Sequence, residues 1–135
     1  MRYLVDASAL IRILRSQVDP AWEELADRGL ISICEPALAE SLKTAEAQRY
    51  AQAEEEVARK YPPVTVPEDI WEQLAETRRE LARHAVHGGP SVVDIVIALT
   101  AMRLKLTVLH QDRDFETIGK VVPELRQRSI RTAPD

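Results

Sequence analysis

Two aspartates stand where predicted strands end. Asp6 directly follows the short apolar segment Tyr3–Val5, and Asp112 follows the apolar segment 107–109. In an open parallel sheet, ligands bind beyond the carboxyl ends of the strands. Carboxylates that converge there raise each other's pKa unless a cation neutralises them. Groups made only of oxygen ligands select hard cations such as Mg²⁺ or Mn²⁺, so this spacing predicts a divalent metal site.

The same acids also have a purely structural interpretation. Asp is a preferred N-cap residue, and Asp6 fits the start of a helix over residues 7–15. Asp94 stands three residues after Ser91, which is the spacing of a capping box. Asp112 or Asp114 fits the N-cap of a short helix over residues 113–118. Residue types and spacing alone leave both interpretations open.

Glu40 lies in a long helical region predicted over residues 36–60. At about 100° per residue, its side chain points nearly opposite that of Leu42. The periodicity therefore predicts that Glu40 faces solvent.

Other kinds of site are poorly supported. The three histidines do not share a metal-binding spacing, although His110 lies beside the candidate site. The Gly88-Gly89 pair lacks the lysine of a phosphate-binding loop. A haloacid-dehalogenase-like phosphatase requires a second aspartate two residues after the first, where this chain has Ser8. The lone Cys34 forms no internal disulfide and no cysteine-based zinc site.

Composition predicts one globular domain over residues 1–135, with 45% hydrophobic and 30% charged residues. The net charge of −4 argues against a general nucleic-acid coat, but it is compatible with acids that surround a metal. The longest apolar run, at about residues 92–102, is too short to span a bilayer. With one cysteine and no membrane segment, a cytoplasmic location is expected.

Strands alternate with helices along the chain, a pattern that predicts an α/β fold with a mostly parallel central sheet flanked by helices. The strands are predicted at 3–5, 30–34, 64–66 and 107–109, with a further apolar pair at 121–122. The helices are predicted at 7–15, 20–28, 36–60, from 67 to about 85, from 91, and at 113–118, where Gly119 ends the last one. The polar tail, about 126–135, is expected to fray.

Four segments together resemble the PIN-domain family and, within it, the VapC-type toxins of bacterial toxin–antitoxin pairs. They are Leu4-Val5-Asp6-Ala7-Ser8, Ala39-Glu40, Pro90-Ser91-Val92-Val93-Asp94-Ile95-Val96-Ile97-Ala98 and Leu109-His110-Gln111-Asp112-Arg113-Asp114-Phe115. The resemblance covers essentially the whole chain apart from the tail. Many relatives carry a small hydroxyl residue where His110 stands, so no role is carried over to His110.

The resemblance implies a PIN-like fold and an endoribonuclease that hydrolyses RNA phosphodiester bonds with Mg²⁺ or Mn²⁺. It implies four metal-binding and catalytic acids, with Asp114 and Ser8 in orienting roles around them; the acids are Asp6, Glu40, Asp94 and Asp112. Glu40 joins this set on the resemblance alone.

The resemblance also implies a homodimer and inhibition by a cognate VapB-like antitoxin. Arg12, Arg15 and Arg113 are candidates for contact with the RNA backbone, and each fits a solvated surface charge as well. The alternative function is a PIN-like module that binds RNA or protein without cutting, which the presence of all four acids disfavours.

Overall fold

A parallel sheet forms the centre of the protein, whose computed structural model describes residues 2–135. Met1, the first residue of the expected domain, lies outside the described residues. The strands are β1 (Tyr3–Val5), β2 (Ile31–Cys34), β3 (Pro63–Val64), β4 (Thr107–His110) and β5 (Gln127–Ser129). They lie in the order β3-β2-β1-β4-β5, and every neighbouring pair is parallel. The predicted mostly parallel sheet is therefore confirmed.

Helices connect the strands, as parallel pairing requires. Within residues 2–135 they are α1 (Ala7–Leu14), α2 (Pro20–Asp27), α3 (Glu35–Ser41), α4 (Tyr50–Lys60), α5 (Ile70–Arg83), α6 (Val92–Leu104) and α7 (Arg113–Val121). None of these helices has the length and apolar character that a membrane crossing requires.

The first strand and α6 lie at the centre of the core. All three residues of β1 are buried, and so is the stretch of α6 from Asp94 to Ala101. Such burial is expected of α6, whose residues are apolar nearly all round. α6 packs against β1, β4, α3, α5 and α7. Its N-terminus is thereby fixed relative to the ends of the two strands that carry the candidate acids.

The single helical region predicted over residues 36–60 is wrong, because the chain turns between Ser41 and Tyr50. The Ser41 hydroxyl donates to the Ala37 carbonyl at 2.7 Å, a bond within the helix that slightly destabilises and bends it. After the buried Leu42, the next residues are mostly exposed and lack core contacts that would extend the helix. A short 3₁₀ turn, Ala47–Arg49, then leads into α4.

The C-terminal part of the chain also differs from the expectation. α7 continues through Gly119 to Val121, so that glycine does not end the helix and residues 121–122 are not a separate strand. The tail that was expected to fray instead contributes β5, which pairs with β4, and Ile130 is 1% exposed. An edge strand needs only backbone pairing on one side, so the polar sequence of β5 gives little signal. Likewise β3 begins at Pro63 rather than at residue 64, and it ends at Val64.

Candidate metal centre

Three carboxylates meet beyond the carboxyl ends of β1 and β4. Asp6 follows β1, Asp112 comes shortly after β4, and Asp94 lies in the first turn of α6. One oxygen from each side chain lies within 4.8 Å of the others. Among residues 2–135 this is the only group of at least three His, Cys, Asp or Glu ligands with metal-binding spacing. We call these three residues the carboxylate cluster.

Asp6 is held in place from several directions. It is 4% exposed, and one of its oxygens accepts a hydrogen bond from the Ala9 backbone N–H at 2.9 Å as the N-cap of α1. The Ser8 hydroxyl donates to the Asp6 carboxylate and lies 2.8 Å from both oxygens. Ser8 also accepts from the Gln111 backbone N–H at 3.0 Å. Ser8 therefore links the end of β1 to the loop that follows β4.

Asp94 and Asp112 also combine a helix cap with a place in the cluster. A complete capping box joins Asp94 and Ser91: the Ser91 hydroxyl accepts from the Asp94 N–H at 3.1 Å, and Asp94 Oδ2 accepts from the Ser91 N–H at 3.2 Å. Asp112 caps α7 by accepting from the Asp114 N–H at 2.9 Å. The structural and the chemical interpretations of these acids therefore hold together, because capping fixes the carboxylates where they converge.

The electrostatics of this group favour a cation. Burial raises the pKa of Asp6 to about 6 and also raises the pKa of Asp94. Burial, together with the negative charges of Asp112 and Asp94, raises the pKa of Asp114 to about 6. Raised pKa values mean that the charged forms lack compensation from the protein alone. A hard divalent cation supplies that compensation and accepts an oxygen-only ligand set, so these residues fit Mg²⁺ or Mn²⁺.

Glu40 is not part of the carboxylate cluster. It is exposed near the end of α3, as the helical periodicity indicated. α3 nevertheless packs against α1 and α6, the two helices whose first turns adjoin Asp6 and Asp94. Its role as a fourth ligand stays a prediction.

His110 has a role that the sequence does not indicate. Its Nδ1 accepts a hydrogen bond from the Asp112 backbone N–H at 3.1 Å, which assigns the ring proton to Nε2. Nε2 lies 2.5 Å from the Gln127 amide oxygen on β5, and the ring stacks on Phe115. Burial lowers the pKa of His110, in agreement with a neutral ring. The contact between His110 and Gln127 was not predicted, because Gln127 lies in the segment that was expected to fray.

Known proteins resemble this chain over most of its length. Ribonuclease VapC6 of Mycobacterium tuberculosis is 35% identical over 106 residues, which cover 78% of this chain and 84% of that protein. Ribonuclease VapC2 of the same species is 33% identical over 138 residues, covering 98% and 96%. The crystal structure of VapBC-5, from the VapBC family of toxin–antitoxin systems of M. tuberculosis, gives a TM-score of 0.63 at 25% identity and covers 97% and 98% of the two chains.

The family model of the PIN domain matches residues 3–121, a range that begins at β1, ends with α7 and contains the whole carboxylate cluster. The match to the family model and the similarity to the two mycobacterial ribonucleases agree with the parallel sheet and the position of the acids at its carboxyl edge. The chain belongs to the PIN-domain family and, within it, to the VapC group.

Proposed function

We propose that this protein is the ribonuclease toxin of a toxin–antitoxin pair and that it hydrolyses RNA phosphodiester bonds with a divalent cation at the carboxylate cluster. The observation that carries this proposal is the convergence of Asp6, Asp94 and Asp112 within 4.8 Å. The ribonuclease names of the relatives support the reaction. The toxin–antitoxin membership of VapBC-5 supports the biological setting.

The carboxylate cluster would hold the cation, because its oxygen ligands suit a hard divalent metal ion. When bound, a divalent cation supplies Lewis acidity, which activates the attacking water and offsets the charge that develops on the phosphate. Mg²⁺ and Mn²⁺ both suit this ligand set. Glu40 is proposed as a further ligand on the family resemblance, since its helix contacts both α1 and α6.

The remaining groups fix the geometry of the ligands. Ser8 orients the Asp6 carboxylate by donating to it, and Ser91 fixes Asp94 through the capping box. Asp114 interacts with Asp94 and Asp112, and its raised pKa makes it a group that holds a proton in mildly acidic solution. Because these positions are set before substrate arrives, little reorganisation is required for reaction.

A VapB-like antitoxin is the proposed inhibitor, and a homodimer is the proposed assembly. A guanidinium presents a planar fork that matches paired carboxylates. We therefore expect an arginine of the antitoxin to occupy the carboxylate cluster and to compete with the cation for it.

The decisive experiment is cleavage of a mixed RNA pool by the purified protein with Mn²⁺, with and without EDTA. We expect cleavage that EDTA abolishes and that Asp94→Asn removes, because the asparagine keeps the capping oxygen but loses the ligand charge. Asp19→Asn is the control, since Asp19 also accepts a backbone hydrogen bond at a helix start but lies on the exposed end of α2, outside the carboxylate cluster. RNA binding without cleavage under all metal conditions would assign the chain to the non-catalytic alternative.

A further inference from the structure

A pocket of about 350 Å³ adjoins the carboxylate cluster on the side of β5. Its lining consists of two arginines, two glutamines and one isoleucine: Arg12, Gln17, Gln111, Ile130 and Arg131. We call it the arginine pocket. Gln111 and Arg131 also line the neighbouring depression that contains Asp112. The arginine pocket is therefore continuous with the edge of the metal centre.

The two guanidinium groups have no carboxylate partner within residues 2–135. Four arginines of the described residues form ion pairs with acids, namely Arg59, Arg83, Arg103 and Arg128, and several exposed arginines form none, so the lack of a carboxylate is informative mainly for Arg12. Arg12 is half-buried on α1, although guanidinium groups are rarely buried without a partner. Two guanidiniums whose positive charges no carboxylate offsets form, in one pocket, a site for an anion with several oxygens.

The position of Arg131 is fixed by its neighbours along the chain. Ile130 is buried, and its N–H donates to the His110 carbonyl at 2.8 Å. The Thr132 carbonyl accepts from the Trp22 indole N–H at 2.8 Å. With its amide oxygen turned toward Arg131, Gln111 accepts from Nη2 at 2.8 Å and also from Nε. Arg131 is thus held before any ligand binds, which lowers the entropy lost on binding.

We propose that the arginine pocket binds a backbone phosphate of the RNA strand next to the phosphate that is cleaved. This inference rests on the proposed function and identifies a substrate contact for it. An RNA strand is a continuous line of phosphates, so a strand placed over the carboxylate cluster presents another phosphate to the adjoining pocket. The pocket reads the backbone rather than the base, because guanidinium contacts to phosphate carry no sequence information.

The test measures binding of a short fluorescein-labelled single-stranded RNA in EDTA, where cleavage cannot occur. Arg12→Gln and Arg131→Gln are each expected to weaken binding about tenfold, since each loses a charge-assisted hydrogen bond. Each is also expected to reduce the slope of log Kd against log salt by about 0.7. The control is Arg126→Gln, because Arg126 is exposed just before β5, at the opposite end of that strand. Arg12→Lys retains the charge and is expected to keep most of the salt slope.

Cleavage with Mn²⁺ supplies a second measurement. The Arg12→Gln and Arg131→Gln variants are expected to show a raised KM with kcat retained, and melting temperatures equal to that of the parent. The inference is overturned if both variants match Arg126→Gln in RNA affinity and salt slope. It is also overturned if they lose binding to poly-glutamate while RNA binding is unchanged, because that result assigns the pocket to an acidic protein segment.

Failure of the proposed function gives a different pattern. A parent protein that binds RNA through both arginines in EDTA but does not cleave it with Mn²⁺ supports the phosphate site and contradicts the ribonuclease. A parent that cleaves RNA while the arginine variants behave like the control supports the ribonuclease and contradicts the phosphate site.

Discussion

Asp6 caps a helix and is also a proposed metal ligand, and these two roles make different demands on its charge. As an N-cap it needs only an oxygen that accepts from Ala9. As a ligand it needs a negative charge, although burial raises its pKa to about 6. Replacement by asparagine separates the two roles, because the amide oxygen can still cap the helix while the charge is gone.

We predict that Asp6→Asn stabilises the metal-free protein at neutral pH by about 1–3 kcal/mol while it abolishes cleavage. Because the pKa of Asp6 is higher in the folded parent than in the unfolded chain, folding favours the protonated side chain. The parent is therefore most stable below pH 3.8, the ordinary pKa, and it loses stability as the pH rises through about 6. Urea unfolding in EDTA should show the advantage of the variant at pH 7.5 and little difference at pH 4.

Asp19→Asn is the control for this prediction, because Asp19 is an exposed N-cap outside the carboxylate cluster. It should change neither the pH dependence nor the response to metal. Addition of Mn²⁺ should stabilise the parent by about 2.7 kcal/mol at a hundred times its dissociation constant. The same addition should leave Asp6→Asn nearly unchanged. A parent that gains nothing from Mn²⁺ at saturating concentration would contradict a preformed metal site.

At the scale of single residues, most of the candidate site can be predicted from the sequence, and the reason is physical. Asp6 and Asp112 follow buried strands, and the parallel arrangement of strands places both at one edge. Asp94 gives a weaker signal, because the spacing from Ser91 also explains it as a cap. Glu40 gives no such signal. Helical periodicity correctly predicts an exposed side chain, and it does not distinguish a metal ligand from an ordinary surface residue.

At the scale of elements, β5 supports the carboxylate cluster through a chain of hydrogen bonds. Gln127 on β5 contacts His110 on β4, and His110 accepts from the backbone of Asp112. Gly119 on α7 makes room for this arrangement, because a Cβ there would lie 2.8 Å from the Gln127 amide nitrogen. The glycine in α7 therefore leaves space for the Gln127 side chain beside His110, and it does not end the helix.

We predict that the effect of Gly119→Ala on the free energy of unfolding depends on the residue at position 127. Alanine normally stabilises a helix interior by about 1 kcal/mol relative to glycine. In the parent this gain should be lost, because the new methyl group displaces Gln127 from His110, and a hydrogen bond of about 1 kcal/mol breaks. In a Gln127→Ala background the full gain should appear. Chemical denaturation of all four proteins gives the coupling energy, and an additive cycle would show that Gly119 does not constrain Gln127.

The incorrect predictions for the turn between α3 and α4 and for β5 have the same cause. The turn between α3 and α4 contains neither glycine nor proline, and the polar residues of β5 show no apolar alternation. Tertiary packing decides both features. By contrast, β1 and α6 are apolar and buried, so their sequence alone predicts where they lie.

For the molecule as a whole, Trp22 attaches the C-terminal tail to the core. The Trp22 side chain is fully buried, donates to the Thr132 carbonyl, packs edge-on against Tyr3 and lies 5.4 Å from the Arg128 guanidinium. Arg128 in turn pairs with Asp135 at 2.8 Å. The tail is therefore part of the folded unit.

We predict that Trp22→Phe lowers the free energy of unfolding by about 2 kcal/mol, since it removes buried volume and the hydrogen bond from the indole N–H to the Thr132 carbonyl. The tail should become the first site of limited proteolysis. Trp71→Phe is the matched control, because the Trp71 side chain is 62% exposed and should tolerate the change. Equal protease resistance of both variants would show that the tail is held without the indole.

The central position of β1 has a consequence for synthesis on the ribosome. β1, β2 and α6 are synthesised before the segment that contains β4, since the polypeptide is made from its N-terminus. Asp112 joins Asp6 only after β4 has paired with β1. A translation product that stops before β4 would therefore carry Asp6 and Asp94 without their third partner. Because the third carboxylate is translated late, the carboxylate cluster is completed only when most of the polypeptide has been made, and we expect abortive products to lack the proposed nuclease activity.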